Sequence, residues 1–298
     1  MLTPRRSTRQ TGSVPVRTDE ARAGDPGDAP AGSALPSDAD RAVFRRHAGD
    51  ATLLVGGAAA ILLQLADPRV ARGVARHSGF RESPMRRLRA TLEYAYAIGF
   101  GDDRAVAAVV REVNARHAPV RGRPDASEPG YSAFDADAQR WVASTLAAVA
   151  LRVHERVSGP MPEPVADAIV RGYAPLAARL QAGGAGWPAT RAEFDGWWEE
   201  RVAGLEVGDD ARRLARDLLV HARLPAPLRL TQAPVRILTA ALLPPAIRDA
   251  YGFRWTRRIA RVADGWFRAI AIARVLIPDP VRRIPLRISL RRVAARTG

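Results

Sequence analysis

Five histidines and no cysteine set the chemistry this chain can do. Without thiols there are no disulfides, no thiol nucleophiles, no thiolate-ligated haem and no cysteine-based zinc or iron–sulfur sites. A metal centre must then use His, carboxylate, Tyr or Met. The histidines are His47, His77, His117, His154 and His221, and no two lie three or four residues apart. The sequence therefore offers no pair of imidazoles on one helix face, as a zinc or di-iron site prefers. A haem held by a single axial histidine fits this inventory better.

His117 has the clearest placement. Val106, Val110, Val113 and His117 follow steps of 4, 3 and 4, one continuous helical stripe that Val109 widens. Pro119 ends the helix two residues later. An imidazole carried into a core by a helix end is how a haem or metal ligand is presented. It is equally how an ordinary buried, hydrogen-bonded histidine looks, and the stripe does not separate the two. Arg87 and Thr91 are four residues apart and share one helix face. They read either as a cation and a hydroxyl turned into a pocket, or as a solvated arginine and a threonine bonded back to its own turn, which is the simpler reading. His77 closes a helix beside Ser78. His47 lies in a polar, arginine-rich helix and reads as exposed, His154 sits just off an apolar stripe, and His221, three residues after Leu218, reads as core-facing. Asp102-Asp103 lacks a third carboxylate at helical spacing, so it reads as a helix cap rather than a diphosphate–magnesium site. Nucleotide-loop, metalloprotease and serine-hydrolase motifs are all missing.

The elements that position these residues are helical. Asp38, Asp50, Asp135 and Thr190 each precede an apolar-periodic run and can cap it, with Glu193 completing a capping box on Thr190. Gly56 and Gly57 stand inside the run Ala51–Ala66, where each costs about 1 kcal/mol of helix propensity against Ala. Two such glycines imply that another helix or a flat cofactor packs very close. Arg86–Gly122 reads as two helices joined at Gly99-Phe100-Gly101. Residues 121–134 read as a loop, residues 137–157 as a long helix with a valine stripe, and residues 256–277 as the last apolar helix. With no period-2 runs and no fixed repeat, the fold class is all-α: a single globular domain of about ten helices around a buried interior. Residues 1–38 have the composition of a disordered N-terminal tail, 39–280 form the helical domain, and 281–298 form a basic C-terminal tail.

The net charge is +15, with every basic residue an arginine. These arginines are spread along nearly every helix beside apolar positions, the pattern of solvated helix faces, so no nucleic-acid partner is expected. Residues 1–38 contain no apolar signal region, and Ala51–Ala66 is shorter than the roughly 20 residues of a bilayer span. The expected location is cytoplasmic. The basic tail, with its interleaved apolar residues, suits a peripheral contact with an acidic membrane surface.

One combination of residues is specific in its order. It runs Asp50…Leu54-x-Gly56-Gly57, Gln64-Leu65-Ala66-x-Pro68, His77-Ser78-x-Phe80, Arg87-x-x-x-Thr91, Phe100-Gly101, His117-x-x-Val120-x-Gly122, Tyr131-Ser132-Ala133 and Trp141-Val142, then Leu242-Leu243-Pro244-Pro245-x-x-Arg248-x-x-Tyr251-Gly252. Over residues 40–290 this resembles the oxygenase family of the rubber-cleaving latex clearing proteins and the ER-bound MpaB enzyme. The resemblance implies a globin-like helical core holding haem b (iron), and dioxygen chemistry on small hydrophobic, often isoprenoid or other unsaturated lipid substrates. By position it makes His117 the proximal iron ligand and Arg87 and Thr91 the catalytic and cofactor-binding pair, and His77 falls among the cofactor-binding candidates. Three positions depart from the family pattern. Asp67 precedes Pro68 where many members have His, Ala90 precedes Thr91 where rubber-cleaving members have a basic residue, and Ala143 follows Trp141-Val142 where many have His. These departures argue against rubber as substrate and allow a remodelled distal site. The alternative reading is a non-catalytic helical protein that binds a hydrophobic ligand or an acidic membrane surface.

Overall fold

Local capping chemistry sets where the first helix starts. The Ser37 hydroxyl accepts the Asp40 N–H at 3.1 Å, and the Asp40 carboxylate accepts the Ser37 N–H at 2.9 Å. This reciprocal box opens α1 (Asp38–Ala48), so the cap is Ser37 and not Asp38. The computed structural model describes residues 35–77, 84–124, 130–183, 186–221 and 230–297. The expected tail over residues 1–38 falls almost wholly outside them.

Asp50 then accepts the Thr52 N–H and starts a 3-10 helix, Ala51–Gly56, which passes directly into α2 (Gly57–Leu65). The apolar run expected as one helix is thus two, and the change falls at the glycine pair. A short step leads to α3 (Pro68–His77), followed by α4 (Pro84–Phe100) and α5 (Asp103–His117). Asp102 caps α5 by accepting the Ala105 N–H at 2.8 Å. The segment read as a loop holds a two-residue antiparallel ladder, β1 (Arg121–Gly122) with β2 (Tyr131–Ser132). Gly122 allows it, because a Cβ there would lie inside the Tyr131 ring. Asp135 caps α6 (Ala136–Ser158), and α7 (Glu163–Ala178), α8 (Arg191–Ala203) and α9 (Asp209–Leu219) follow. The remaining helices are α10 (Gln232–Leu242), α11 (Pro245–Ala250), α12 (Arg257–Leu276), α13 (Asp279–Arg282) and α14 (Ile284–Thr297).

The fold is all-α, with fourteen α-helices among the described residues. The count exceeds ten because one-turn and two-turn helices such as α11 and α13 are too short for a periodicity to reveal. α6 runs through the middle, packed by α2 on one side and α7 on another. Its small residues Ala143, Ala147 and Ala148 are buried and let those helices approach. Trp141 is fully buried, stacks on Trp198 at 5.1 Å and donates from its indole to the Leu63 carbonyl at 3.1 Å. Both demands of a buried tryptophan, apolar contact and a partner for its N–H, are met there.

Three local expectations change. Thr190 caps α8, but Glu193 accepts from the Ala189 N–H rather than from Thr190, so the expected capping box is not closed. His221 lies past the end of α9, exposed and within 3.3 Å of Asp217, because the apolar face it would have continued stops at Leu219. The segment expected as a basic tail is α13 and α14. α14 packs against α4 and α5 and buries Leu286, Ser289 and Val293, while Arg296 reaches the buried Glu93 at 2.9 Å.

Candidate functional site

A cavity runs along α4. Arg87, Leu88, Thr91, Leu92, Ala95, Tyr96 and Phe100 line it from that helix, and a rise of 1.5 Å per residue makes this wall about 20 Å long. Leu53, Leu54, Gly57, Ile61 and Gln64 form the facing wall, Val70 and Val74 come from α3, and Phe44, Val149, Tyr173 and Leu176 close the rest. About 160 Å³ is open to the centre of a water-sized sphere, within about 1140 Å³ of atom-free space that includes its mouth. That is the scale of a site for a cofactor or a lipid-sized ligand, apolar with a few polar groups set into it.

The glycine pair divides its work. A Cβ on Gly56 would collide with the Val149 side chain, so this glycine exists for contact with α6. A Cβ on Gly57 would meet nothing within 4 Å, and Gly57 lines the cavity. Of the two explanations suggested by the sequence, the close helix holds at Gly56, and Gly57 opens on the cavity.

Arg87 and Thr91 both line the cavity, so the pocket-facing alternative is the right one for their geometry. Arg87 is half-buried, and burial pushes its pKa down, although a guanidinium remains charged at neutral pH. Thr91 is more exposed and sits where the cavity is open. His117 is not among the lining residues. It ends α5, which is joined to α4 by two residues and packs on it. Its Nδ1 is buried with no hydrogen-bond partner among the described residues, its ring lies 6.5 Å from Phe134, and burial lowers its pKa, so the imidazole is neutral at pH 7. His77 is exposed, with Nε2 3.0 Å from the Tyr131 hydroxyl, and it does not line the cavity.

A second group of polar residues has no signal in the sequence spacing. Tyr96 and Tyr173 line the cavity at the end away from Arg87. There a small side cavity is walled by His47, His154 and Tyr173, with the two imidazole rings edge to face at 5.1 Å. His47 is therefore half-buried and not exposed as expected, because α1 lays it against α6. Gln64, also on the wall, donates to the Thr145 hydroxyl at 3.2 Å.

Asp67 and Ala143 stand off the cavity. Asp67 takes hydrogen bonds from Arg69 (2.7 Å) and Arg201 (2.8 Å), which also reach Asp137, and Arg201 lies over the Trp141 ring. An ion-pair knot thus occupies the place of the family's histidine.

Residues 44–275 match the family model described as the ER-bound oxygenase mpaB/B'/rubber oxygenase catalytic domain. The chain belongs to this family. Its oxygenase-type catalytic domain covers the cavity and every residue just described except the C-terminal helices. Two curated relatives, uncharacterized proteins of Mycobacterium tuberculosis and Mycobacterium bovis, are each 30% identical over 227 residues, covering 74% of this chain and 88% of theirs. No solved structure matches the chain.

Proposed function

We propose that the protein is a haem-b-dependent oxygenase acting on a hydrophobic, unsaturated substrate, and that the cavity along α4 is its active site. The observation that carries this reading is a cavity of about 20 Å in length whose apolar walls hold Arg87 and Thr91 side by side. The residues fit a haem by their chemistry. Gly57 leaves room against the wall, Arg87 offers a cation for a propionate, and His117 is a neutral imidazole with an unpartnered nitrogen. When bound, haem supplies the activation of dioxygen, which no side chain here can perform. Arg87 holds a carboxylate or a developing negative charge, Thr91 donates a hydrogen bond at the open end, and the leucine and valine walls exclude water from an apolar chain. His117, which stands outside the lining, is the iron ligand in this reading and has to turn its ring into the cavity to bind.

Absorption spectra from 350 to 700 nm test it, on the wild type and on His117→Ala, as isolated and after dithionite reduction. A Soret band in the wild type that is lost or strongly shifted in His117→Ala is the expected result. A band unchanged in the variant moves the ligand to another histidine. No band in either protein, even after haem reconstitution, sinks the proposal. Because Ala90 removes the basic neighbour of Thr91, the substrate expected is a short unsaturated lipid and not a rubber polymer, which product analysis with both resolves.

One observation favours the second reading, a helical protein that docks on an acidic membrane surface and binds a hydrophobic ligand there. The outward face of α12 is apolar: Ile272, Val275 and Leu276 are 62%, 82% and 75% exposed, and Val262 and Trp266 continue the strip. Exposed Arg261 and Arg268 lie on the same outward face, and exposed Val281 and Ile284 extend it past the helix end. Apolar side chains interspersed with arginines match the boundary between anionic headgroups and acyl chains better than a second copy of the same cationic surface. Among the described residues no single helix is long and apolar enough to cross a membrane, and only the bent pair Asp38–Ala48 and Ala51–Leu65 passes by length and composition. Co-flotation with phosphatidylglycerol vesicles, reduced at high salt and in Val275→Glu, is expected. Equal recovery with and without anionic lipid removes this reading.

A further inference from the structure

The chain has five tyrosines, and their hydroxyls fall into two groups. Tyr94 donates to the Leu176 carbonyl at 2.6 Å, Tyr251 donates to the Leu62 carbonyl at 2.6 Å, and the Tyr131 hydroxyl meets His77 at 3.0 Å. Tyr96 and Tyr173 are buried just as deeply, at 6% and 8% exposure, and their hydroxyls have no hydrogen-bond partner among the described residues. These are the two tyrosines that line the cavity. Neither hydroxyl oxygen is sealed from the cavity, so a pair of them on one cavity wall with no partner in the chain points to a group that arrives from outside it.

The histidines beside them behave the same way. His47 and His154 face each other across the side cavity that Tyr173 also lines, and their ring nitrogens make no hydrogen bond among the described residues. Four helices thus bring two phenols and two imidazoles together: α1 supplies His47, α4 Tyr96, α6 His154 and α7 Tyr173. The acidic charges nearby are spoken for, and Arg46 stands close to His47. Asp50 accepts hydrogen bonds from Arg274 and Arg282 and from Thr52, and Glu155 is paired with Arg191. The cluster is therefore a set of neutral donors and acceptors at the end of an otherwise apolar channel. The side cavity measures about 20 Å³, open to the centre of a water-sized sphere, which is room for a single oxygen and too little for a phosphate.

We propose that this cluster is the head-group subsite of the cavity, and that it takes the uncharged oxygen of an alcohol or carbonyl at the end of an apolar chain. Tyr96 and Tyr173 donate to that oxygen, and an imidazole nitrogen of His47 or His154 accepts from it when it is a hydroxyl. The chain of the ligand then lies along α4 toward Arg87. The proposal deepens the oxygenase reading by naming the class of substrate, and it rests on that reading for calling the ligand a substrate. Binding itself is independent of haem.

Displacement of Nile red from the purified protein by tetradecan-1-ol, tetradecane and tetradecanoate tests it. The alcohol is expected to bind about tenfold more tightly than the hydrocarbon, the worth of one or two hydrogen bonds. Tyr96→Phe and Tyr173→Phe each reduce that preference several-fold, since each removes one oxygen and leaves the ring in place. Tyr94→Phe, at a position that does not line the cavity, leaves it unchanged. Equal affinity for alcohol and hydrocarbon, or a preference that survives both phenylalanine variants, overturns the subsite. Tighter binding of the carboxylate than of the alcohol overturns the choice of an uncharged head. The alcohol preference is read by dye displacement and haem by its Soret band, so a protein that keeps the first without the second supports the subsite while sinking the oxygenase reading.

Discussion

Asp67 and Tyr173 are both buried polar residues in the middle of a helical body, at 2% and 8% exposure. The oxygens of Asp67 receive hydrogen bonds from two arginines of two different segments, and Asp137 shares the same arginines. The hydroxyl of Tyr173 receives none from the described residues. The Asp67 carboxylate is met from within the chain, although the buried Nε of Arg201 lacks a partner among the described residues, while the hydroxyls of Tyr96 and Tyr173 open on a cavity. Ion pairs on both sides of Asp67 mark the knot as structure, and two unpartnered hydroxyls on a cavity wall mark the cavity end as a place for a ligand.

If that contrast is sound, removing a group from the knot and removing one from the cavity have opposite costs. Asp67→Ala leaves Arg69 and Arg201 without their buried partner, and about 3 kcal/mol of unfolding free energy is expected to be lost in urea titration. The glycine pair gives the next largest separation. Gly56→Ala drives a methyl into Val149 and costs about 1–3 kcal/mol, whereas Gly57→Ala meets open space, leaves stability unchanged or slightly raised, and narrows the cavity. The tyrosines follow. Tyr94→Phe loses a hydrogen bond and strands the Leu176 carbonyl for about 1 kcal/mol, while Tyr96→Phe is within about 0.5 kcal/mol of the wild type. If Tyr96→Phe costs as much as Tyr94→Phe, its hydroxyl has a partner inside the protein and the comparison collapses.

The gentlest test is pH. Burial lowers the pKa values of His47, His117 and His154 in the folded protein. The unfolded chain therefore takes up protons first as pH falls, so stability is flat above the ordinary histidine value of 6.5 and declines below it. His154→Gln is expected to flatten that decline between pH 7.5 and 5.5. The Arg171 guanidinium acts on Asp40 in the other direction, holding its carboxyl at about 2 from an ordinary 3.8. The stability it lends is complete above pH 4 and is lost as pH falls toward 2.

The features legible in the sequence were those that a single segment decides. Asp50, Asp102 and Asp135 cap helices because a carboxylate and an N–H two or three residues away need nothing else. Arg87 and Thr91 share a face because helical geometry requires it, although only the neighbouring helices turn that face into a cavity wall. Glu193 fails to complete a box on Thr190 because a competing donor, the Ala189 N–H, lies closer to it. His47, Tyr96, His154 and Tyr173 were not legible as a group at all. They come from four helices, and no spacing rule links positions 47, 96, 154 and 173. The reading of His47 as exposed weighed its arginine neighbours, and α6 decided otherwise.

The packing of α14 on α4 and α5 also bears on the order in which the protein is made. Arg296 pairs with Glu93 across 203 positions of chain, and Val293 fills the small core beside Ala97 and Val109. The helix that carries Arg87, Thr91 and Tyr96 is thus braced by a helix made about 200 positions later. Until α14 has been made and has docked, one wall of the cavity lacks its backing, so loading of any cofactor along α4 waits for α14. A truncation that removes α14 reaches the cavity by the same route, without touching a residue that lines it.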